Sequence, residues 1–294
     1  MDTRAVRRGL TREQTAERAR SQRRLEGKVA IVTGAGSVGP GWGNGRATTV
    51  RFAAEGARVF AVDKDLAAMD ETLAAARAVV DVKADDEAGA VVPYACDVTD
   101  SAAIAALVAA CAQRFGAIDI LVNNVGGPAL GGPVTLSEDD WHRQLDLNLT
   151  TVFLMCKHVM PVMEARGGGA IVNIASTSGI RWTGSPAVGY AAAKAGVIQF
   201  GRVVAVEYAP KNIRVNSVVP GQLHTPLVDA VLAQAQSGGD IEALLKRRQA
   251  RIPLPFMGDG FDTANAALYL ASDEARFVTG TEIIVDGGMS VRCD

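Results

Sequence analysis

Short apolar runs alternate with longer amphipathic or alanine-rich stretches along most of this chain. The run Lys28-Val29-Ala30-Ile31-Val32-Thr33 leads into a glycine-rich stretch and then a helical pattern over 46–55, with Gly56 as its stop. Continuous apolarity, as opposed to strict alternation, marks a strand buried on both faces, which is the habit of parallel sheets. A second such run, 57–62, closes on Asp63, and a helix follows at 66–80. The pattern then predicts strand 91–95, helix 101–115, strand 118–123, a long helix 139–165 that includes Asn148, the strand Ile171-Val172-Asn173-Ile174-Ala175-Ser176, a helix from 189 to 208 and strand 212–219. Such regular alternation predicts an α/β fold, a doubly wound parallel sheet with helices on both faces.

The first strand, the stretch from Gly34 to Gly45 and the helix after it form a strand–glycine loop–helix unit. Glycines let a backbone approach phosphate, and a helix start offers free N–H groups and the positive end of its dipole. Asp63 stands at the end of the second strand, where an acid meets the ribose hydroxyls of a bound dinucleotide. The reading is therefore a single-domain Rossmann fold. At 294 residues and 48% hydrophobic positions, the chain can bury a sizeable core without needing a second domain.

A candidate for proton chemistry lies farther on, in Gly189-Tyr190-Ala191-Ala192-Ala193-Lys194. Four-residue spacing puts the phenol and the ammonium on one helix face. A free tyrosine keeps its proton to about pH 10, and a neighbouring positive charge favours the phenolate. Ser176 ends an apolar strand, and chemistry in open α/β sheets collects at such strand ends.

In order along the chain, these segments resemble the short-chain dehydrogenase/reductase family, over roughly 25–288. The family's Thr-Gly opening fits Thr33-Gly34, its Asp-Val fits Asp97-Val98 and its Asn-Asn-x-Gly fits Asn123-Asn124-Val125-Gly126. The Tyr-x-x-x-Lys fits Tyr190 and Lys194, and a Pro-Gly-x-x-x-Thr clamp fits Pro220-Gly221 and Thr225. Gly280-Thr281-Glu282-Ile283-Ile284-Val285-Asp286-Gly287-Gly288 is similar to its last strand and turn. The resemblance implies Asn148, Ser176, Tyr190 and Lys194 as catalytic residues. It implies cofactor contacts from Gly34, Gly36, Ser37, Gly43, Asn44, Gly45, Asp63, Asp97, Val98, Asn124, Val125, Gly126, Pro220, Gly221 and Thr225, with Tyr190 and Lys194 again. The sequence departs from the family twice. The glycine loop carries extra residues around 38–42, which leaves open which glycines touch phosphate. Ser176 lies one residue farther from Tyr190 than is usual, with Thr177 and Ser178 as alternatives.

The implied activity is NAD(P)-dependent interconversion of a secondary alcohol and a ketone, with the tyrosine as general acid/base. The alternatives are a 3-oxoacyl-thioester reductase and a non-catalytic dinucleotide-binding sensor or scaffold. Asp63 favours NAD(H), since a carboxylate repels a 2′-phosphate, and Ser37 replaces the basic residue of many NADP-using members. NADP(H) stays possible because Lys64 adjoins Asp63 and Arg46 is near enough to reach phosphate. Arg181, Trp182, Leu223 and His224 are expected at the substrate pocket, with Trp141 beside them. Residues 222–257 are expected to form a lid over it.

A net charge of −2 gives no electrostatic footprint for nucleic acid. Cys96, Cys111, Cys156 and Cys293 and three dispersed histidines lack metal or disulfide spacing, which suits reduced thiols in the cytoplasm. Residues 1–25 form an arginine-rich extension without the apolar segment of a signal peptide, read as a flexible or oligomer-associated arm. No stretch is apolar enough to span a bilayer. The resemblance also implies a homotetramer.

Overall fold

All seven predicted strands join one sheet. In the computed structural model, which describes residues 23–80 and 90–293, the strands are β1 (Val29–Thr33), β2 (Arg58–Asp63), β3 (Val91–Ala95), β4 (Ile120–Asn123), β5 (Gly169–Ile174), β6 (Ile213–Pro220) and β7 (Glu282–Val285). Their order is β3-β2-β1-β4-β5-β6-β7, and every pairing is parallel. The helices are α1 (Asn44–Ala54), α2 (Asp70–Val79), α3 (Ser101–Phe115), α4 (Glu138–Leu145), α5 (Thr151–Ala165), α6 (Val188–Tyr208), α7 (Ala233–Ser237), α8 (Ile241–Gln249) and α9 (Gly260–Ala271).

Two apolar layers explain the continuous runs. Along β1 all five residues are buried. Val29 and Ile31 face a core built with α3, α5 and α6, while Ala30 and Val32 face one built with α1 and α9. Strand order reverses between β1 and β4, so the loops leaving those strands diverge and open a crevice at their carboxyl ends.

Three elements differ from the sequence reading. The long helix 139–165 is two helices joined by a π-helical turn at Asp146–Thr150. There the Asn148 amide donates to the Gln144 carbonyl at 3.0 Å, taking the acceptor that its own backbone N–H would use in a regular α-helix. Residues 258–279 had no predicted element and contain α9. Its start was legible: the Asp259 carboxylate accepts from Phe261 N at 2.7 Å, and Asp262 accepts from Asp259 N at 2.8 Å, a capping box. The arginine-rich extension lies outside the described residues up to position 22. Leu25, at its end, is fully buried in the core beneath α1, so the packed domain begins before β1.

Candidate active site

Ser176 stands two residues past the end of β5. Its hydroxyl accepts from Ser178 N at 3.1 Å, capping the short turn Thr177–Gly179, and it shares a hydrogen bond with the Tyr190 phenol. Thr177 and Ser178 line the same cavity, but the Ser178 hydroxyl pairs with that of Thr183 at 3.0 Å, and the hydrogen bond to the Tyr190 phenol comes from Ser176. Tyr190 lies in the first turn of α6, and Lys194 follows one turn later. The Lys194 ammonium donates to the Ile174 carbonyl at 2.8 Å and lies 5.8 Å from the centre of the Tyr190 ring. Asn148 accepts from Gly127 N at 3.0 Å. A Cβ on Gly126 would come within 2.5 Å of Asn148 Oδ1 and 3.0 Å of Lys194 Nζ, so only glycine lets these two groups meet the loop. Four residues from three segments thus converge on one end of the sheet.

Burial governs their proton affinities. It pushes the Tyr190 phenol above its ordinary value, and the Ser176 hydrogen bond opposes this. Desolvation is the larger of the two, so the phenol keeps its proton through neutrality. Lys194 itself is lowered to about 8 by burial, because a buried ammonium loses its hydration. Between that value and about 10.4 in the unfolded chain, unfolding takes up a proton, so stability rises as pH climbs through this window. Below about pH 8 the penalty is fully present. It amounts to roughly 3 kcal/mol at 1.36 kcal/mol per pKa unit, and losing the donor to Ile174 offsets about 1–2 kcal/mol of any relief. Lys194→Met is expected to unfold at a higher temperature than wild type at pH 7, with the gap closing toward pH 10. Scanning calorimetry at the two pH values checks it, and a gap that is constant with pH would refute the assignment.

The strand–glycine loop–helix unit is formed, with the helix starting at Asn44. Gly34 has a left-handed backbone, and a Cβ on Gly45 would fall 1.8 Å from its carbonyl oxygen. These two glycines bring α1 onto the end of β1. Asn124 ties that junction to β4: its backbone N–H donates to Thr33 Oγ1 at 3.0 Å, and its side-chain amide donates to the Thr33 and Gly34 carbonyls at 3.1 Å each. Val125 packs against Gly34. Gly43 is the N-cap of α1 without any side-chain cap, and the carbonyl oxygen of the Asn44 side chain is buried without a partner on the cavity wall. The free N–H groups of an uncapped helix start fit a phosphate-bearing ligand, while the Asn44 oxygen, an acceptor, is suited to a hydroxyl donor. The Asp63 carboxylate accepts from Gly36 N at 2.9 Å, and Ser37 bonds Gly39 O at 2.8 Å within the loop. Arg46 is corrected: its guanidinium turns away to Glu71, Thr72 and Gly41 O. The extra loop residues are held by Trp42, whose ring lies 4.5 Å from that of Phe261. Asp97 sits exposed past β3 and binds Thr99 through its carboxylate, which lowers its pKa, while Val98 is buried in the core.

A cavity of about 170 Å³ joins Asn44, Asn124 and Gly126 to Ser176, Tyr190 and Lys194, and continues to Pro220, Gly221, Leu223 and Thr225. Segment 222–257 supplies its far wall through Leu227, Val228, Leu232, Gln236 and Arg248, around a small apolar cluster of its own. Four pocket expectations are corrected. Trp182 is 75% exposed and Arg181 reaches the Arg292 carbonyl, because the turn after Ser176 swings both outward. His224 is exposed and pairs with Asp229 at 3.1 Å. Trp141 also lies off the cavity wall. Thr183, Gln222 and Arg248 line it instead.

A family model described as enoyl-(acyl carrier protein) reductase matches residues 40–290. The 3-oxoacyl-acyl-carrier-protein reductase FabG of Thermotoga maritima is 39% identical, covering 91% of this chain and all of the relative. Levodione reductase of Leifsonia aquatica is 37% identical, over 91% of this chain and 96% of its own. A crystal structure of a short-chain dehydrogenase/reductase from Burkholderia xenovorans is 70% identical, with TM-score 0.86, over 92% of this chain and 99% of that one. The chain belongs to the short-chain dehydrogenase/reductase family. Membership implies a nicotinamide dinucleotide cofactor.

Proposed function

We propose that this protein is an NAD-dependent oxidoreductase that interconverts a secondary alcohol and a ketone. The observation that carries the reading is the Tyr190 phenol, hydrogen-bonded to Ser176 and one helical turn from Lys194, on the wall of a cavity that also reaches the start of α1. The bound nicotinamide supplies or accepts hydride. Tyr190 donates a proton to the carbonyl oxygen as charge develops there, and Ser176 hydrogen-bonds the same oxygen. In the oxidising direction Tyr190 takes the alcohol proton, so its raised pKa makes oxidation climb with pH while reduction holds through neutrality. Lys194, held on the Ile174 carbonyl, biases that proton and reaches toward the nicotinamide ribose. Asn148 fixes the Gly126–Gly127 loop against it.

Asp63 supports NAD(H) over NADP(H). Its carboxylate is held at the end of β2 by Gly36 N, where a ribose hydroxyl is welcome and a 2′-phosphate meets like charge. A 3-oxoacyl-thioester reductase is the second reading, favoured by the full-length likeness to the Thermotoga enzyme. Steady-state assays with NADH and NADPH against ketones and 3-oxoacyl thioesters decide among these. NADH is expected to give a kcat/KM about 10-fold or more above NADPH. Equal use of the two would remove the role given to Asp63, and no turnover on either substrate class would favour a dinucleotide sensor.

The homotetramer of the family belongs to the same reading, supported by exposed Phe153 on α5 and Val203 and Val206 on α6. Light scattering on the purified protein reads it. No helix among the described residues is long and apolar enough to cross a membrane. Buried free thiols at Cys96, Cys111 and Cys156 support a cytoplasmic setting, which cell fractionation tests.

A further inference from the structure

Arg248 is the unexplained group of the cavity. It sits near the end of α8 and lines the same space as Ser176 and Tyr190, yet it is only 8% exposed. One Nη donates to the Leu223 carbonyl at 3.2 Å, while Nε is buried with no partner. No carboxylate among the described residues forms an ion pair with it. The charge that acts on it is another cation, Arg251, which with burial lowers its pKa to about 10. Arg251 is itself held on the Thr183 carbonyl at 2.9 Å. That carbonyl also accepts the Gln222 amide at 2.9 Å, while Gln222 Oε1 is buried without a partner.

A buried guanidinium is costly unless it is paired, and a neighbouring cation raises the cost. Buried Arg46 meets Glu71, and half-buried Arg214 spreads its donors over the Leu270, Ser272 and Val278 carbonyls. Arg248 keeps an unused donor and lines the same cavity as Ser176 and Tyr190. A guanidinium is suited to forked recognition of a carboxylate or similar anion.

We propose that Arg248 is a specificity-determining residue that recognises an anionic group on the substrate, so that the preferred alcohols and ketones carry a carboxylate on the side of the reacting carbon facing α8. The proposal rests on the oxidoreductase reading for what happens at the carbonyl, and on Arg248 alone for the selectivity.

The test uses the full-length protein with NADH and a homologous series, 3-oxobutanoate, 4-oxopentanoate and 5-oxohexanoate, each beside its uncharged methyl ester. Wild type is expected to favour at least one acid over its ester by about 10–100-fold in kcat/KM, the range of a hydrogen bond to a charged group. In Arg248→Met that ratio collapses toward unity, and Arg248→Lys keeps part of it. The same acids, and not the esters, are expected to raise the melting temperature of the NADH-bound wild type but not of Arg248→Met. Equal use of acids and esters by wild type, which needs no variant to fold, overturns the proposal. So does an Arg248→Met that loses acids and esters alike with a raised KM for NADH, because Arg248 would then serve the cofactor. If no ketone turns over, the oxidoreductase reading fails, and the melting shifts still report whether Arg248 holds the anion.

Discussion

Tyr190→Phe is expected to lose about 10²–10⁴-fold in kcat, the usual worth of a positioned general acid, while NADH binding stays within a few-fold. The substitution removes one oxygen and keeps the ring, so the packing of α6 against the sheet is preserved. It leaves Ser176 with its bond to Ser178 N but without its proton-bearing partner. Lys194 is anchored independently on the Ile174 carbonyl, so its position does not depend on the phenol. Fluorescence titration with NADH alongside steady-state reduction separates binding from chemistry. A variant that keeps more than a tenth of wild-type kcat would show that another group or water delivers the proton. One that loses NADH affinity in proportion would make Tyr190 a binding residue and not an acid.

The parts of this site that were legible in the sequence are those fixed by backbone period. Continuous apolar runs dictate strands buried on both faces, and Ser176 is placed by the end of such a run. The helix of α6 then carries Tyr190 and Lys194 to one side. Where a side chain's direction depends on the turn after a strand, sequence pattern has no hold. Arg181 and Trp182 follow Ser176 closely, yet the turn Thr177–Gly179 carries them to the surface. Arg248 fails in the opposite sense: a Lys-Arg-Arg run at the end of α8 reads as a solvated face, and only the packing of segment 222–257 onto the cavity buries its last member. The long glycine loop was unresolved for a third reason. What holds it, the Trp42 ring on Phe261, is a contact between residues more than 200 positions apart in sequence.

That loop yields a pair of substitutions whose effects separate fold from cofactor. Gly45 lies inside α1, where glycine-to-alanine usually stabilises by up to about 1 kcal/mol through helix propensity. Here the added methyl would fall 1.8 Å from the Gly34 carbonyl oxygen and 2.6 Å from the Asn124 amide nitrogen. Both are held by the junction of β1 and β4, so neither can yield without moving α1 off the sheet. Gly45→Ala is expected to cost about 3 kcal/mol or more, the upper end of overpacking in a rigid core, and to abolish NADH binding with it. Gly43 sits two residues earlier with φ −73° and ψ 159°, a conformation alanine adopts freely, and its added methyl would meet only Ser37 Oγ at 3.9 Å. Gly43→Ala should therefore melt within about 1 kcal/mol of wild type, the scale of a changed N-cap. With the cofactor's phosphates proposed at the uncapped start of α1, a methyl added at its N-cap should lower NADH affinity about 10-fold or more. Chemical denaturation and NADH titration of both variants read the two effects separately. Unchanged affinity in Gly43→Ala would move the phosphate contact elsewhere in the loop, and an undisturbed Gly45→Ala would mean that α1 does not rest on the end of β1.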